Sequence, residues 1–149
     1  LRMWATKESF AEPENNGNFD LRRLRPRDKE ALQEAYDAAF GTPTAARLMH
    51  RGPYFGVWKR NRLISVAGTH FIAPDIGLTA IGNVWTRPRF RGKGLATLVV
   101  GAVTRELLAD YEVVVLSVRE DNAAAKAAYE RVGYRTHGRF WQTRGRWKG

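Results

Sequence analysis

Arg91-Gly92-Lys93-Gly94-Leu95-Ala96 is the stretch that decides how this chain is read. The residues before it, Ile81 to Thr86, have the character of a strand, and Leu95 to Leu108 follow as an apolar, helix-periodic run. A strand that turns through glycines into a helix start makes an anion site. The first amides of the helix have no intrahelical acceptor, and the helix dipole adds roughly half a positive charge there. Gly92 and Gly94 let the backbone approach a phosphate with no Cβ in the way. Arg91 and Lys93 add fixed charge. The segment predicts a phosphorylated cofactor.

Three phosphate-binding patterns compete for it. A Walker loop needs GxxxxGK followed by Ser or Thr, and the chain has none. A dinucleotide fingerprint needs GxGxxG, and Thr97 stands at the third glycine. Glu120 and Asp121, after the next strand, could serve as the ribose-binding acid of that pattern. That fold, however, usually begins with its fingerprint, and about half of this chain precedes the loop. The third pattern is Gln or Arg, two residues, Gly, one residue, then Gly or Ala. Arg91, Gly94 and Ala96 fit it fully.

The second half of the chain chooses among them. Leu116-Ser117-Val118-Arg119-Glu120-Asp121-Asn122, Ala123 to Ala128, then Tyr129-Glu130-Arg131-Val132-Gly133-Tyr134 resembles the second signature of the GCN5-related N-acetyltransferases, the GNAT superfamily. The first signature of that family is matched by Val84, Pro88, Phe90, Arg91, Gly92, Gly94, Leu95 and Ala96. The resemblance runs from about Ile81 to Tyr134; upstream it holds by element order alone. One glycine loop is a weak signal. Two motifs in the right order with a strand between them are specific. The resemblance implies an α/β fold, the GNAT-like acyl-CoA N-acyltransferase fold: a central mixed sheet with a splayed pair of parallel strands, flanked by helices.

Composition bounds the rest. The chain has 149 residues, enough for one domain with a real core. Its 44% hydrophobic content is globular rather than disordered. There is no cysteine, which excludes disulfides, thiolate metal sites and a cysteine nucleophile. No apolar run approaches the ~20 residues of a membrane span, and no signal-peptide pattern is present. The expectation is a cytoplasmic protein with no membrane partner and no metal. The net charge of +10 suits a polyanionic ligand, and coenzyme A is one. The basic residues cluster at Arg22 to Lys29, Arg87 to Lys93 and Arg135 to Lys148. The last cluster carries Trp141 and Trp147 and no acid, but a solvated final hairpin is the commoner form of such a tail, so nucleic acid is not expected.

Periodicity gives the element order. Residues 1–18 read as an irregular N-terminal arm, and residues 19–149 as a single N-acetyltransferase domain. Phe19 to Leu24 alternates as a first strand. Arg27 to Phe40 has helical spacing through Leu32, Ala35 and Ala39, ending at Gly41. Pro43 to His50 predicts a short second helix. Tyr54 to Trp58 and Leu63 to Ile72 predict a hairpin joined at Lys59 to Arg62. Ile76 to Thr86 is the next strand, followed by the helix from Leu95. Val113 to Val118 is a continuous apolar run, the mark of a buried parallel-type strand. Ala125, Ala128, Tyr129 and Val132 line one face of the next helix, which Gly133 ends. Tyr134 to Gln142 gives one or two final strands. The predicted order is β-α-α-β-β-β-α-β-α-β, with no internal repeat.

The resemblance assigns roles to these positions. It implies that acetyl-CoA serves as cosubstrate. The backbone of Val84, Trp85 and Thr86 would pair with the pantetheine amides, and the diphosphate would rest on the N–H groups from Arg91 through Gly92, Lys93, Gly94 and Leu95 to Ala96. The Trp85 side chain is left free to wall the acceptor pocket or to sit in the core. Asn122 is a favoured helix cap, and in the family it also reaches the cofactor. Tyr129, seven residues on, shares its helix face; the family places a tyrosine hydroxyl there, near the cofactor sulfur, as general acid for the leaving thiolate. Core packing is the plain alternative. Relatives carry a carboxylate base where this chain has Asn83 or Ser117, and neither of these can act as a base. His70 then becomes the candidate base, since its unperturbed pKa lies near neutrality. A structural histidine, a water chain or an amine that arrives neutral would equally account for it.

The reading is an acetyl-CoA-dependent N-acetyltransferase that acts on a primary amine by direct attack. The acceptor is a small molecule or a peptide amine, and a homodimer is compatible with the sequence. Two other classes stand beside it. One is a catalytically weak acyl-CoA-binding sensor or regulatory module, which coenzyme A release in an amine screen would separate. The other is a nucleotide-dependent oxidoreductase, which titration with NADH would separate.

Overall fold

The computed structural model describes residues 1–40 and 49–141. Its elements are β1 (Arg2–Thr6), β2 (Asp20–Arg23), α1 (Lys29–Phe40), β3 (Tyr54–Lys59), β4 (Arg62–Ala73), β5 (Leu78–Thr86), α2 (Leu95–Asp110), β6 (Val113–Ser117), α3 (Ala123–Val132) and β7 (Arg135–Gly138). Among the described residues the seven strands form a single sheet in the order β2-β3-β4-β5-β6-β1-β7. All neighbours are antiparallel except β5 and β6. This is the mixed α/β sheet that the motifs implied. The parallel pair arises because α2 carries the chain back across the sheet before β6 begins.

Two cores cover the two faces. On one, α1 turns Leu32, Ala35 and Tyr36 onto Tyr54, Trp58, Leu63 and Val66. On the other, α2 and α3 cover Phe55, Val57, Ile64, Ala67 and Ile81. Adjacent strand residues therefore go to opposite cores, as the period-2 alternation of a strand requires. α2 is buried along most of its length, from Leu95 to Leu108, and Glu12 and Pro13 lie over its outer side. Pro13 packs against Gly101, where a Cβ would collide with the proline ring, and Glu12 meets Arg105 at 2.7 Å. That contact explains why a glycine stands inside a helix, where it costs about 1 kcal/mol relative to alanine.

The expectation of an irregular arm over residues 1–18 needs correction. Arg2–Thr6 is a strand, inserted between β6 and β7 and antiparallel to both. Met3 and Ala5 are fully buried in the α2–α3 core, while Trp4 is exposed. The alternation is present in the sequence, but it spans five residues and uses types with modest strand preference. The predicted order thus lacked its first strand. Smaller shifts lie at element ends. The first expected strand shortens to Asp20–Arg23. α1 starts at Lys29 behind a 3-10 turn at Pro26–Asp28, and β5 starts at Leu78 behind another at Pro74–Ile76. Most of the helix expected over 43–50, and everything after residue 141, lie outside the described residues.

Candidate functional site

The site begins where two parallel strands part. β5 and β6 pair only at Leu78↔Val113, Thr79↔Val114 and Ala80↔Val115. Beyond Ala80, β5 runs on to Thr86 held by β4 on its other edge, and β6 runs on to Ser117 held by β1. The facing edges from Ile81 and from Leu116 onward have no strand partner, so a wedge opens with peptide groups along both sides.

Two irregularities in the β4–β5 pairing accompany the parting, one opposite Ile81 and Ala80 and one at Asn83. Between Gly68↔Gly82 and Val66↔Trp85, β5 carries one more residue than β4. The extra residue is Asn83, with φ of 55°, in the left-handed region that asparagine tolerates better than most residues. A bulge bends its strand and increases the local twist. Beyond it, Val84, Trp85 and Thr86 have no partner on β6. Tyr36, fully buried, donates from its hydroxyl to the Asn83 carbonyl at 2.7 Å and holds the bulge from the α1 side. The Asn83 amide nitrogen is buried with no hydrogen-bond partner. It leans toward the Tyr54 phenol, whose pKa is pushed up by burial and pulled back in part by that amide.

The loop closes the wide end of the wedge. After Thr86, whose hydroxyl is fixed 2.8 Å from that of Ser65, a 3-10 turn at Pro88–Phe90 leads to Gly92 and Gly94, with φ of 77° and 78°. These values favour glycine, and a Cβ at either position would meet nothing within 4 Å. The space over the loop is therefore open. Gly94 caps α2 without a side-chain acceptor, which leaves the first amides of the helix facing that space. Leu95 is buried and anchors the helix start. One expected donor drops out: the Arg91 N–H is already given to the Pro88 carbonyl at 3.3 Å, so the amides available for an anion begin at Gly92. The Arg91 side chain donates from Nε to the Thr86 carbonyl at 3.1 Å and clips the loop to its strand.

The remaining predicted residues fall around the wedge. Asn122 caps α3, accepting from the Ala125 amide at 3.1 Å, and is exposed. Tyr129 is buried to 7% exposure in the α2–α3 core, its ring 6.3 Å from that of Tyr134. Burial raises its pKa, so its proton stays on at neutral pH. Its hydroxyl has no hydrogen-bond partner among the described residues. His70 is the extra residue of β4 between Thr69↔Ile81 and Phe71↔Ala80, and a Cβ on Gly82 would come within 3.0 Å of the His70 Cβ. It is exposed and on the α1 side. His70 thus stands beside β5 on the α1 side, and Tyr129 lies in the core on the other face. The Trp85 side chain joins the α1-side core. Ser117 is exposed near the end of β6. Among the described residues no group of His, Asp and Glu side chains could hold a metal, and no helix is long and apolar enough to cross a membrane.

Sequence reasoning missed Tyr36 and Tyr54. Tyr36 sits at helical spacing from Leu32 and Ala39 and could be read as core. Nothing marked its hydroxyl as the support of a bulge 47 residues away in the chain.

Residues 54–144 match the family model described as FR47-like protein. A search of curated proteins gives no match. Among solved structures, a GNAT-family acetyltransferase from Novosphingobium aromaticivorans superposes with a TM-score of 0.75 at 27% identity, over 92% of this chain and 59% of that one. A GCN5-related N-acetyltransferase from Kribbella flavida gives 0.71 at 19% identity, over 90% of this chain and 52% of that one. An aminoglycoside acetyltransferase from an uncultured soil metagenomic sample, in complex with sisomicin, gives 0.66 at 13% identity, over 89% of this chain and the whole of that one. The chain spans little more than half of the first two structures.

Proposed function

This chain belongs to the FR47-like family within the GNAT superfamily, and from that premise we propose that it transfers an acetyl group from acetyl-CoA to a primary amine by direct attack. The observation that carries the reading is the wedge itself. Two unpaired strand edges run into a loop whose free amides face open space. An extended amide-bearing arm that ends in a diphosphate suits that shape: the Val84 to Thr86 edge offers it ladder partners, and Gly92 to Ala96 with Lys93 offer its phosphates donors and charge.

Acetyl-CoA supplies the activated thioester carbonyl. The chain's own residues supply position and protons. The amine nitrogen bonds to the carbonyl carbon, the carbon–sulfur bond breaks, the sulfur takes a proton from Tyr129, and the ammonium proton leaves to His70 or to water. Burial keeps Tyr129 protonated, which a general acid needs, at the cost of making the phenol a weaker acid. His70 and Tyr129 lie on opposite faces of the sheet. An amine entering from the α1 side beside His70 and a thiol leaving on the α3 side would each meet the group that serves it. Asn122, with its cap oxygen engaged, keeps its amide hydrogens free for the cofactor arm. Small-molecule and peptide amines both suit a pocket reached from that side.

A second reading rests on Asn83 and Ser117. Neither strand position beside the wedge carries a carboxylate, so an acyl-CoA sensor with weak turnover is the alternative. The test is coenzyme A release with acetyl-CoA and a panel of primary amines. Amine-dependent release at steady state supports the transferase. Tight acetyl-CoA binding with release no faster than hydrolysis across the panel would favour the sensor.

A further inference from the structure

The β6 side of the wedge leads to an arginine that the fold leaves without a partner. Arg2 pairs with Ser117 on β6 and with Gly138 on β7. Met3 and Ala5 point into the α2–α3 core. The alternation of β1 therefore sends Arg2 and Trp4 to the other face of the sheet, and Ser117 shares that face with them. α1 lies on the same face over β3 and β4, while Trp4 and Ser117 are exposed. The Arg2 guanidinium lies 4.8 Å from the centre of the Phe140 ring. Among the described residues it has no carboxylate partner, and its Nε is buried with no hydrogen-bond partner. Glu120, just beyond β6, is engaged by Arg139. Exposed arginines without an ion pair are ordinary, because water serves them. A buried Nε–H is not served that way, and buried donors with no partner are rare in folded proteins.

We propose that Arg2 receives a carboxylate of the acceptor, one set well away from the amine that is acetylated. The inference rests on the amine-acetylation reading above and names the substrate class for it. Arg2 presents Nε and one Nη on a single edge of a planar fork, the geometry that takes a carboxylate through two parallel hydrogen bonds. The ring of Phe140 steadies the guanidinium and is no substitute for an oxygen acceptor. Position sets the length of the acceptor. β5 and β6 part after Ala80↔Val115, so Ser117 borders the gap where thioester and amine would meet. β1 is one strand further out, about 5 Å at ordinary strand spacing. An α-amino acid carries both groups on one carbon and is too short to be held by Arg2 while its amine reaches the gap. A carboxylate about 5 to 10 Å from the amine, one to two strand spacings, fits.

The experiment compares ω-aminohexanoate with ω-aminohexanamide, which have the same length and nearly the same amine basicity and differ in charge at the far end. Coenzyme A release by the whole chain at saturating acetyl-CoA reads kcat/KM for each. The expected result is an advantage of about tenfold or more for the carboxylate, within what hydrogen bonds to a charged group supply. Glycine should show no such advantage over glycinamide, because it cannot span the distance. In Arg2→Gln the hexanoate advantage should fall to about onefold, with acetyl-CoA affinity kept in calorimetry and the fold kept in a thermal melt. If that variant does not fold, Arg2→Lys keeps the charge, loses the fork and should retain only part of the advantage. Equal kcat/KM for acid and amide in the parent protein would overturn the proposal and leave the acetyl-transfer reading standing. So would an advantage that survives intact in Arg2→Gln, or one as large for glycine. If no amine drives coenzyme A release, the acetyl-transfer reading fails by itself. Calorimetry with ω-acetamidohexanoate in the presence of coenzyme A then decides the site: binding that Arg2→Gln removes supports it, and no binding overturns it.

Discussion

Tyr129 and Tyr134 stand five residues apart, both buried, and only one is spoken for. The Tyr134 hydroxyl lies 2.8 Å from that of Thr104, which in turn bonds the Val100 carbonyl at 2.7 Å. Tyr129 has no such tether. Tyr129→Phe is therefore expected to leave the fold and acetyl-CoA affinity intact and to lower turnover by about a hundredfold or more, the usual worth of general acid catalysis. Steady-state kinetics beside calorimetry checks this. A loss within about twofold would make the residue packing alone. His70 is tested through pH. If it accepts the ammonium proton, the rate should show a pH-dependent limb that His70→Gln removes while acetyl-CoA affinity is kept. Running two acceptors of different pKa separates the histidine from the amine's own titration. A limb that moves with the acceptor and survives the substitution would exclude His70.

At the scale of elements, the wedge depends on a strand that refuses to stay paired and on a loop left open above it. Gly94 is the sharpest probe of the loop. Its φ of 78° and empty surroundings mean that a side chain there is strained but not blocked. Gly94→Glu is expected to lower the melting temperature only modestly, since a lost glycine conformation costs about 1 kcal/mol. It should abolish acetyl-CoA binding, because the new carboxylate points into the space proposed for the diphosphate. Calorimetry and a thermal melt together read both effects, and unchanged affinity would remove the loop from the site. The contrast between loop and bulge shows what the sequence could tell. The glycines, the helix after them, the Asn122 cap and the Gly133 stop were legible because each depends on neighbours in the chain. The bulge was not. Asn83 at positive φ is a weak local hint, and the Tyr36 hydroxyl that holds its carbonyl is delivered by a distant helix. β1 was missed for a similar reason. Met3 and Ala5 become strand residues because the edges of β6 and β7 are waiting for them. Gly133 carries a trace of the same arm: a Cβ there would run into the Ser9 carbonyl, a contact no local pattern announces.

At the scale of the whole molecule, four buried phenols set how the fold answers to alkali. Burial raises the pKa of Tyr36, Tyr54, Tyr129 and Tyr134 above 10.0, with Tyr36 and Tyr134 raised furthest. In the unfolded chain these groups ionise near 10; in the folded chain they hold their protons to higher pH. Their contribution to stability is fully present below about pH 10 and is lost as pH rises through the folded values, because the unfolded state then releases protons that the folded state keeps. Each such phenol steepens the loss by up to about 1.4 kcal/mol per pH unit. An opposing effect exists. The net charge of +10 repels itself, and lysines that lose their protons in the same range relieve that repulsion. Those charges lie at the surface, where each pair is worth about 1 kcal/mol or less, so the buried phenols should dominate. Melting temperature followed from pH 8 to 11.5 is expected to stay nearly level until about pH 10 and then to fall steeply, with tyrosinate absorbance appearing together with loss of the far-ultraviolet helix signal. Tyr134→Phe should lower stability at pH 8 through the lost Thr104 bond, yet fall less steeply above pH 10, because one of the four contributors is gone. An alkaline slope equal to that of the parent would show that the surface charges, not the buried phenols, govern the transition.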